Sequence, residues 1–144
     1  AIGVDLSGNV WADFIDPLRY YGGVGGQPDF VRALSHKRYG APIIAMKSLT
    51  NKGASKIVPA CPSGITLTAS AYDGVVIVTE YGIADLRDLP TGFKGLAIAS
   101  ISHPDHREKL LKTIYNDPRM TKPKGFSLDK IPPGVILYRG KVPI

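Results

Sequence analysis

The chain has 144 residues, 44% hydrophobic and 21% charged, enough for one domain with a hydrophobic core. No apolar run reaches the roughly 18 residues of a membrane span, and the single cysteine, Cys61, excludes an intrachain disulfide and fits a reducing, cytoplasmic compartment. The net charge of +6 comes from scattered basic residues that thicken between Lys109 and Lys141. With no Lys/Arg block interleaved with aromatics, it argues against nucleic acid and suits a phosphate-bearing small ligand.

The chain opens on Ala1-Ile2-Gly3-Val4-Asp5, without an initiator Met or a signal-peptide pattern, as the inside of a strand would. A fragment of a longer polypeptide is therefore expected. Residues 2–6 and 9–14 read as a hairpin around Ser7-Gly8. Gly22-Gly23-Val24-Gly25-Gly26 then places four glycines in five positions, followed by Gln27, Pro28 and Asp29. Glycine frees the backbone, proline suits the first turn of a helix, and aspartate complements its positive end. The segment reads either as a plain tight turn or as a loop feeding a helix N-terminus, whose N–H groups can hold a negatively charged oxygen.

A helix is expected from Pro28 to about His36, with Phe30, Val31 and Leu34 as its apolar stripe. Gly40-Ala41-Pro42 stops it, and Ile43–Met46 reads as a buried strand. Ser55–Pro59 and Ile65–Thr68 read as short strands separated by a turn at Cys61–Gly64. Val75–Thr79, a β-branched run, is the strongest strand and reads as covered on both faces. Tyr81–Leu86 reads as a turn and a short helix, followed by helices over Phe93–Ile101 and Pro104–Tyr115. Residues 116–144 form a basic tail punctuated by Pro118, Pro123, Pro132, Pro133 and Pro143, to which Val135–Tyr138 can add one strand. The alternation argues for an α/β fold with a mixed, mostly parallel sheet and flanking helices.

The glycine loop fits neither common nucleotide fingerprint. Pro28 occupies the third glycine position of a G-x-G-x-x-G frame, and no G-x-x-x-x-G-K-[ST] is present. Dense glycines can still present N–H donors to an oxyanion, each worth about 2.7–4 kcal/mol in a transition state. The chain has two glutamates. Glu108, among charged neighbours, reads as a solvated helix residue. Glu80 ends the strongest strand, where open α/β sheets place ligands; the alternative is a strand-end carboxylate bonded to loop N–H groups or a basic residue. Lys52 lies in a polar loop that is either a solvated turn or a phosphate contact. His36, His103 and His106 lack a third metal-ligand pattern, and Cys61 reads as a small buried filler, not a nucleophile.

Several stretches together resemble the C-terminal domain of the acetyl-CoA hydrolase/transferase family. They are Val4–Val10, Gly23–Arg32, Lys52–Pro59, Val78–Arg87 and His103–Arg107, in the family's order and spacing from residue 2 to about 115. The resemblance implies a CoA-transferase-like domain over residues 1–115. It also implies transfer of CoA between an acyl-CoA and a small carboxylic acid, or hydrolysis, through a glutamyl-CoA intermediate. The family's nucleophilic glutamate lies upstream of the matched region, so an upstream domain of the same polypeptide is an implied partner and this chain alone is expected to be inactive.

On this sequence the resemblance implies that Gly25 and Gly26 donate N–H groups to the thioester oxyanion or CoA, with Gly23, Val24 and Gln27 beside them. Glu80 would be a second carboxylate that positions CoA or a basic partner, and Lys52 a phosphate or pantetheine contact. CoA is implied as a substrate, with no permanently bound cofactor or metal, no nucleic acid and no membrane; self-association is left open. Lys47, Ala69–Asp73 and Pro90–Gly95 depart from the family's pattern, which bears on the acyl substrate. The alternative function is a nonenzymatic domain that binds CoA or another phosphorylated ligand through the same loop.

Overall fold

A computed structural model of the chain describes residues 1–35, 37 and 39–139. His36, Lys141 and Pro143 lie outside the described residues. In chain order the first elements are β1 (Gly3–Asp5), β2 (Val10–Trp11), β3 (Phe14–Asp16), β4 (Arg19–Tyr20) and α1 (Gln27–Ser35). They are followed by β5 (Ile43–Ala45), β6 (Ile57–Val58), β7 (Val76–Thr79) and β8 (Gly82–Asp85). The remaining elements are α2 (Thr91–Ser100), α3 (Pro104–Asn116) and β9 (Val135–Leu137).

The strands form three sheets, ordered β2-β1-β6, β3-β4 and β5-β7-β8-β9. The expected α/β class holds, but the mostly parallel pairing does not. Among the described residues, β1–β6 and β5–β7 are parallel, whereas β1–β2, β3–β4, β7–β8 and β8–β9 are antiparallel. The reason is local: β7 is followed by only Glu80 and Tyr81 before β8, and so short a link can join antiparallel strands alone.

The hairpin expected around Ser7-Gly8 forms as β1–β2. Asp5 organises it: one carboxylate oxygen accepts the Ser7 and Asn9 N–H groups at 2.9 and 3.0 Å. The other oxygen accepts Asn9 Nδ2 at 2.9 Å and the Cys61 N–H at 3.0 Å. Four donors offset the cost of burying this carboxylate.

Three other expectations are corrected. Ile43–Met46 is not buried throughout: Ile43 is 63% exposed because β5 is an edge strand. Ile65–Thr68 forms no strand, because its neighbour Ala69 makes an isolated bridge to Val10 and the run gains no partner ladder. Tyr81–Leu86 is not a helix, because β8 is hydrogen-bonded between β7 and β9. Gly82 permits this arrangement, since a Cβ there would collide with Ile136 O of β9.

The core joins the sheets to α2 and α3. Leu6, Ile57, Ile77, Leu96, Ile98, Ile101 and Ile114 are fully buried within it, each worth about 1.5–3 kcal/mol of transfer energy. α2 is apolar on most sides because it packs against both α3 and the β8–β9 edge. α3 is amphipathic, burying Leu110 and Ile114 at i, i+4. It starts with His103 as its cap, Nδ1 accepting the Asp105 N–H, and with Pro104 in its first turn.

Candidate functional site

The corner between β7 and β8 is built by Thr79. Its hydroxyl donates to Ile101 O at 2.6 Å and accepts the Tyr81 N–H at 3.1 Å, pinning the turn to the end of α2. Glu80 is only 5% exposed. Its Oε2 accepts the Ser48 N–H at 2.8 Å and its Oε1 accepts the Ser48 hydroxyl at 2.7 Å. Ser48 lies just beyond β5, so the parallel β5–β7 register brings the carboxyl ends of two neighbouring strands together. This two-point bond is the strand-end arrangement that the sequence offered as one reading of Glu80. Lys56 lies within electrostatic reach: burial lowers its pKa, and the Glu80 charge works against that shift.

The same bond fixes the loop that carries Lys52. Ser48 O accepts the Lys56 N–H at 2.8 Å, Leu49 bridges Ser55, and Thr50 and Ala54 close the turn between them. Lys52 stands exposed at the tip, and Gly53 O lies 3.3 Å from His106 Nε2 on α3. The first turns of α3 also approach Tyr81. The His103 ring meets it edge-on at 5.5 Å, and the Arg107 guanidinium lies 6.0 Å from its centroid. Burial pushes the Tyr81 hydroxyl pKa up, Glu80 and Asp105 add to the shift, and Arg107 opposes it. Glu80 and the Lys52 loop are thus brought together, with the start of α3 beside both.

The glycine loop has a different set of neighbours. Gly25 takes φ +61°, a conformation open to glycine, and nothing lies within 4 Å of where its Cβ would be. Gly23, Gly25 and Gly26 are exposed, while Val24 is half-buried. Among the described residues the N–H groups of Gly23, Val24, Gly25 and Gly26 have no acceptor, whereas Gly26 O accepts the Phe30 N–H at the start of α1. Gln27 is anchored away from the loop, its Nε2 donating to Thr68 Oγ1 at 2.8 Å. The loop therefore presents free N–H donors beside the positive end of a helix, the arrangement that attracts anionic oxygen.

Ser48, Tyr81, His106 and Arg107 carry much of this geometry without having been candidate site residues. Ser48 left one faint signal: a hydroxyl just past an apolar strand that runs parallel to the one ending in Glu80. Cys61 is partly exposed, contrary to a buried filler, and desolvation followed by the Asp5 charge pushes its thiol pKa up. Among the described residues no three His, Cys, Asp or Glu side chains cluster to hold a metal ion. No helix among them is long and apolar enough to cross a membrane.

A family model described as the acetyl-CoA hydrolase/transferase C-terminal domain matches residues 1–114. The chain is 39% identical over 117 residues to the succinyl-CoA:acetate/propanoyl-CoA:succinate CoA transferase of Fasciola hepatica, covering 80% of this chain and 24% of that protein. It is 38% identical over 109 residues to the 4-hydroxybutyrate coenzyme A transferase of Clostridium kluyveri, covering 75% of this chain and 25% of that protein. The solved structure of RipA from Yersinia pestis matches with a TM-score of 0.64 at 31% identity, over 80% of this chain and 24% of that one. The chain spans about a quarter of the length of the curated relatives it matches. With this match over residues 1–114, the chain belongs to the acetyl-CoA hydrolase/transferase family, through that family's C-terminal domain.

Proposed function

We propose that this chain is part of an enzyme that transfers CoA between an acyl-CoA and a small carboxylic acid, or hydrolyses the acyl-CoA, through a glutamyl-CoA intermediate. The attacking glutamate belongs to an upstream domain of the same polypeptide. It adds to the thioester carbon and expels CoA thiolate, leaving an acyl-glutamyl anhydride. The thiolate then attacks the glutamyl carbonyl, releasing the acyl group as carboxylate and forming the glutamyl-CoA thioester. An acceptor carboxylate reverses these two steps to take up CoA; water instead releases CoA and regenerates the glutamate. Dividing one difficult exchange in this way lowers each barrier.

Beside family membership, the observation that carries this reading is how the chain's two glutamates are held. Glu80 is buried with both oxygens bonded to Ser48. Glu108 is a solvent-facing residue whose side chain is 78% exposed and paired with Lys112 at 2.6 Å. Neither is disposed as a nucleophile, which supports a nucleophile elsewhere. In this reading the free N–H groups of Gly25 and Gly26 receive the thioester oxyanion, and Gly23, Val24 and the Gln27 backbone flank CoA. Lys52 meets a phosphate or the pantetheine arm. Glu80 is a positioning residue that holds the Lys52 loop through Ser48.

The test is mass spectrometry on the longer polypeptide after exposure to acetyl-CoA. The expected product is an adduct of CoA less one water on a glutamate outside residues 1–144. An adduct on Glu80 would overturn the assignment, and CoA binding with no adduct would favour the nonenzymatic alternative.

A further inference from the structure

Among the described residues, hydrogen bonds hold the glycine loop at its two ends. At its entry, Asp13 O accepts the Tyr21 and Gly22 N–H groups at 2.7 and 3.3 Å. At its exit, the loop is tied through the Gln27 side chain to Thr68 Oγ1. Glycine has the greatest backbone freedom of any residue, so a run of glycines cannot keep its own N–H groups aimed. Donors that act on a reacting carbonyl must be held to within roughly 0.5 Å, and the support for that has to come from neighbouring, better fixed groups.

Thr68 is such a group. It is only 8% exposed, and its N–H donates to Val10 O of β2 at 2.8 Å. The next residue, Ala69, exchanges two further bonds with Val10, its O accepting the Val10 N–H at 2.8 Å and its N–H donating to Val10 O at 3.2 Å. Val10 is wholly buried and pairs with Val4 of β1, so Thr68 stands on the core. Its hydroxyl turns its single proton to Val10 O at 3.2 Å, which leaves the oxygen lone pairs to accept from Gln27 Nε2 at 2.8 Å. A continuous path of bonds thus runs from β1 through β2 and Thr68 to the residue that follows Gly26.

We propose that Thr68 is a positioning residue for the acyl-transfer chemistry: through Gln27 it fixes the glycine loop and so aims the Gly25 and Gly26 N–H groups. The proposal rests on the reading of that loop as the cradle of the thioester oxyanion. Thr68→Val keeps the shape of the side chain and the three backbone bonds to Val10 but cannot accept from Gln27. In the longer polypeptide it should lower kcat with acetyl-CoA by at least about 10-fold and leave KM within about 2-fold, the pattern of support lost in the transition state alone. Thr68→Ser, which keeps the hydroxyl, should bring kcat back to within about 3-fold of the unaltered enzyme. Should Thr68→Val fail to fold, Gln27→Met removes the other partner from a half-buried position and should cause the same loss. Where both fold, the double variant should be no slower than either, because the two side chains act through one bond. In residues 1–144, 15N relaxation should show lower backbone order at Gly25 and Gly26 when Thr68 is valine, with α3 unchanged. Unchanged kcat in folded Thr68→Val or Gln27→Met, a loss that Thr68→Ser does not restore, or additive losses in the double variant would overturn the proposal. Gly26→Val separates this failure from that of the underlying reading. If Gly26→Val is slow while Thr68→Val is not, the role of Thr68 alone falls; if Gly26→Val is unimpaired, the cradle reading falls and takes this role with it.

Discussion

Glu80 shows how the surroundings of a strand-end carboxylate depend on a partner far along the chain. Each of its two carboxylate oxygens accepts from Ser48, 32 residues away, one the N–H and the other the hydroxyl. Glutamine has the same shape but keeps one acceptor oxygen and replaces the other with a donor. One Ser48 donor then loses its acceptor inside a buried site, which costs about 1–3 kcal/mol. Glu80→Gln is therefore expected to lower stability by that amount in a denaturant titration and to speed hydrogen exchange at Ser48 and Lys56. In the longer polypeptide it should weaken CoA binding through the loosened Lys52 loop while leaving acylation of the upstream glutamate intact. Loss of acylation would reassign Glu80 as the nucleophile.

At the scale of elements, the contrast is between β8 and the parts that were legible. Val75–Thr79 announced itself because a continuous β-branched run has few other uses, and α3 because Pro104 and Asp105 mark its start. Gly82-Ile83-Ala84-Asp85 carried no such mark. Its strand conformation is decided by β7 on one side and by β9, more than 50 positions later, on the other. Local propensity cannot register that.

The same holds for β5, whose apolar run does not say which edge stays open, and for Ile65–Thr68, a short run that found no partner strand. The Ser48 bond and the bond from Gln27 to Thr68 were likewise invisible, because each depends on contacts made only in the fold. The glycine loop was legible because its requirement is local. Gly82→Val tests the β8 corner directly: the new side chain meets Ile136 O and Ile101, so β9 must move away. The variant should lose about 1–3 kcal/mol of stability, the usual cost of overpacking. Exchange should quicken at Tyr138, whose N–H donates to Tyr81 O, before it changes in α3. Unchanged protection at Tyr138 would show that the close approach is not what fixes the corner.

At the scale of the whole molecule, the chain offers a glycine loop with unbonded N–H groups, a loop carrying the exposed Lys52 and a well-tethered carboxylate at Glu80, while Glu108 faces solvent. On the proposed function, these groups would stabilise a transition state generated by a glutamate outside residues 1–144. Residues 1–144 are therefore expected to show no CoA transfer from acetyl-CoA to a carboxylic acid, and the longer polypeptide to show it. In that polypeptide Gly26→Val should cut turnover by about 10²-fold or more, the scale of losing one oxyanion donor or obstructing the approach to it. The variant's fold is checked by circular dichroism, since position 26 is exposed and a new side chain there meets only the Phe30 ring, at 3.5 Å. Unimpaired turnover in a folded variant would remove the glycine loop from the reaction, and robust transfer by residues 1–144 alone would require a nucleophile within them.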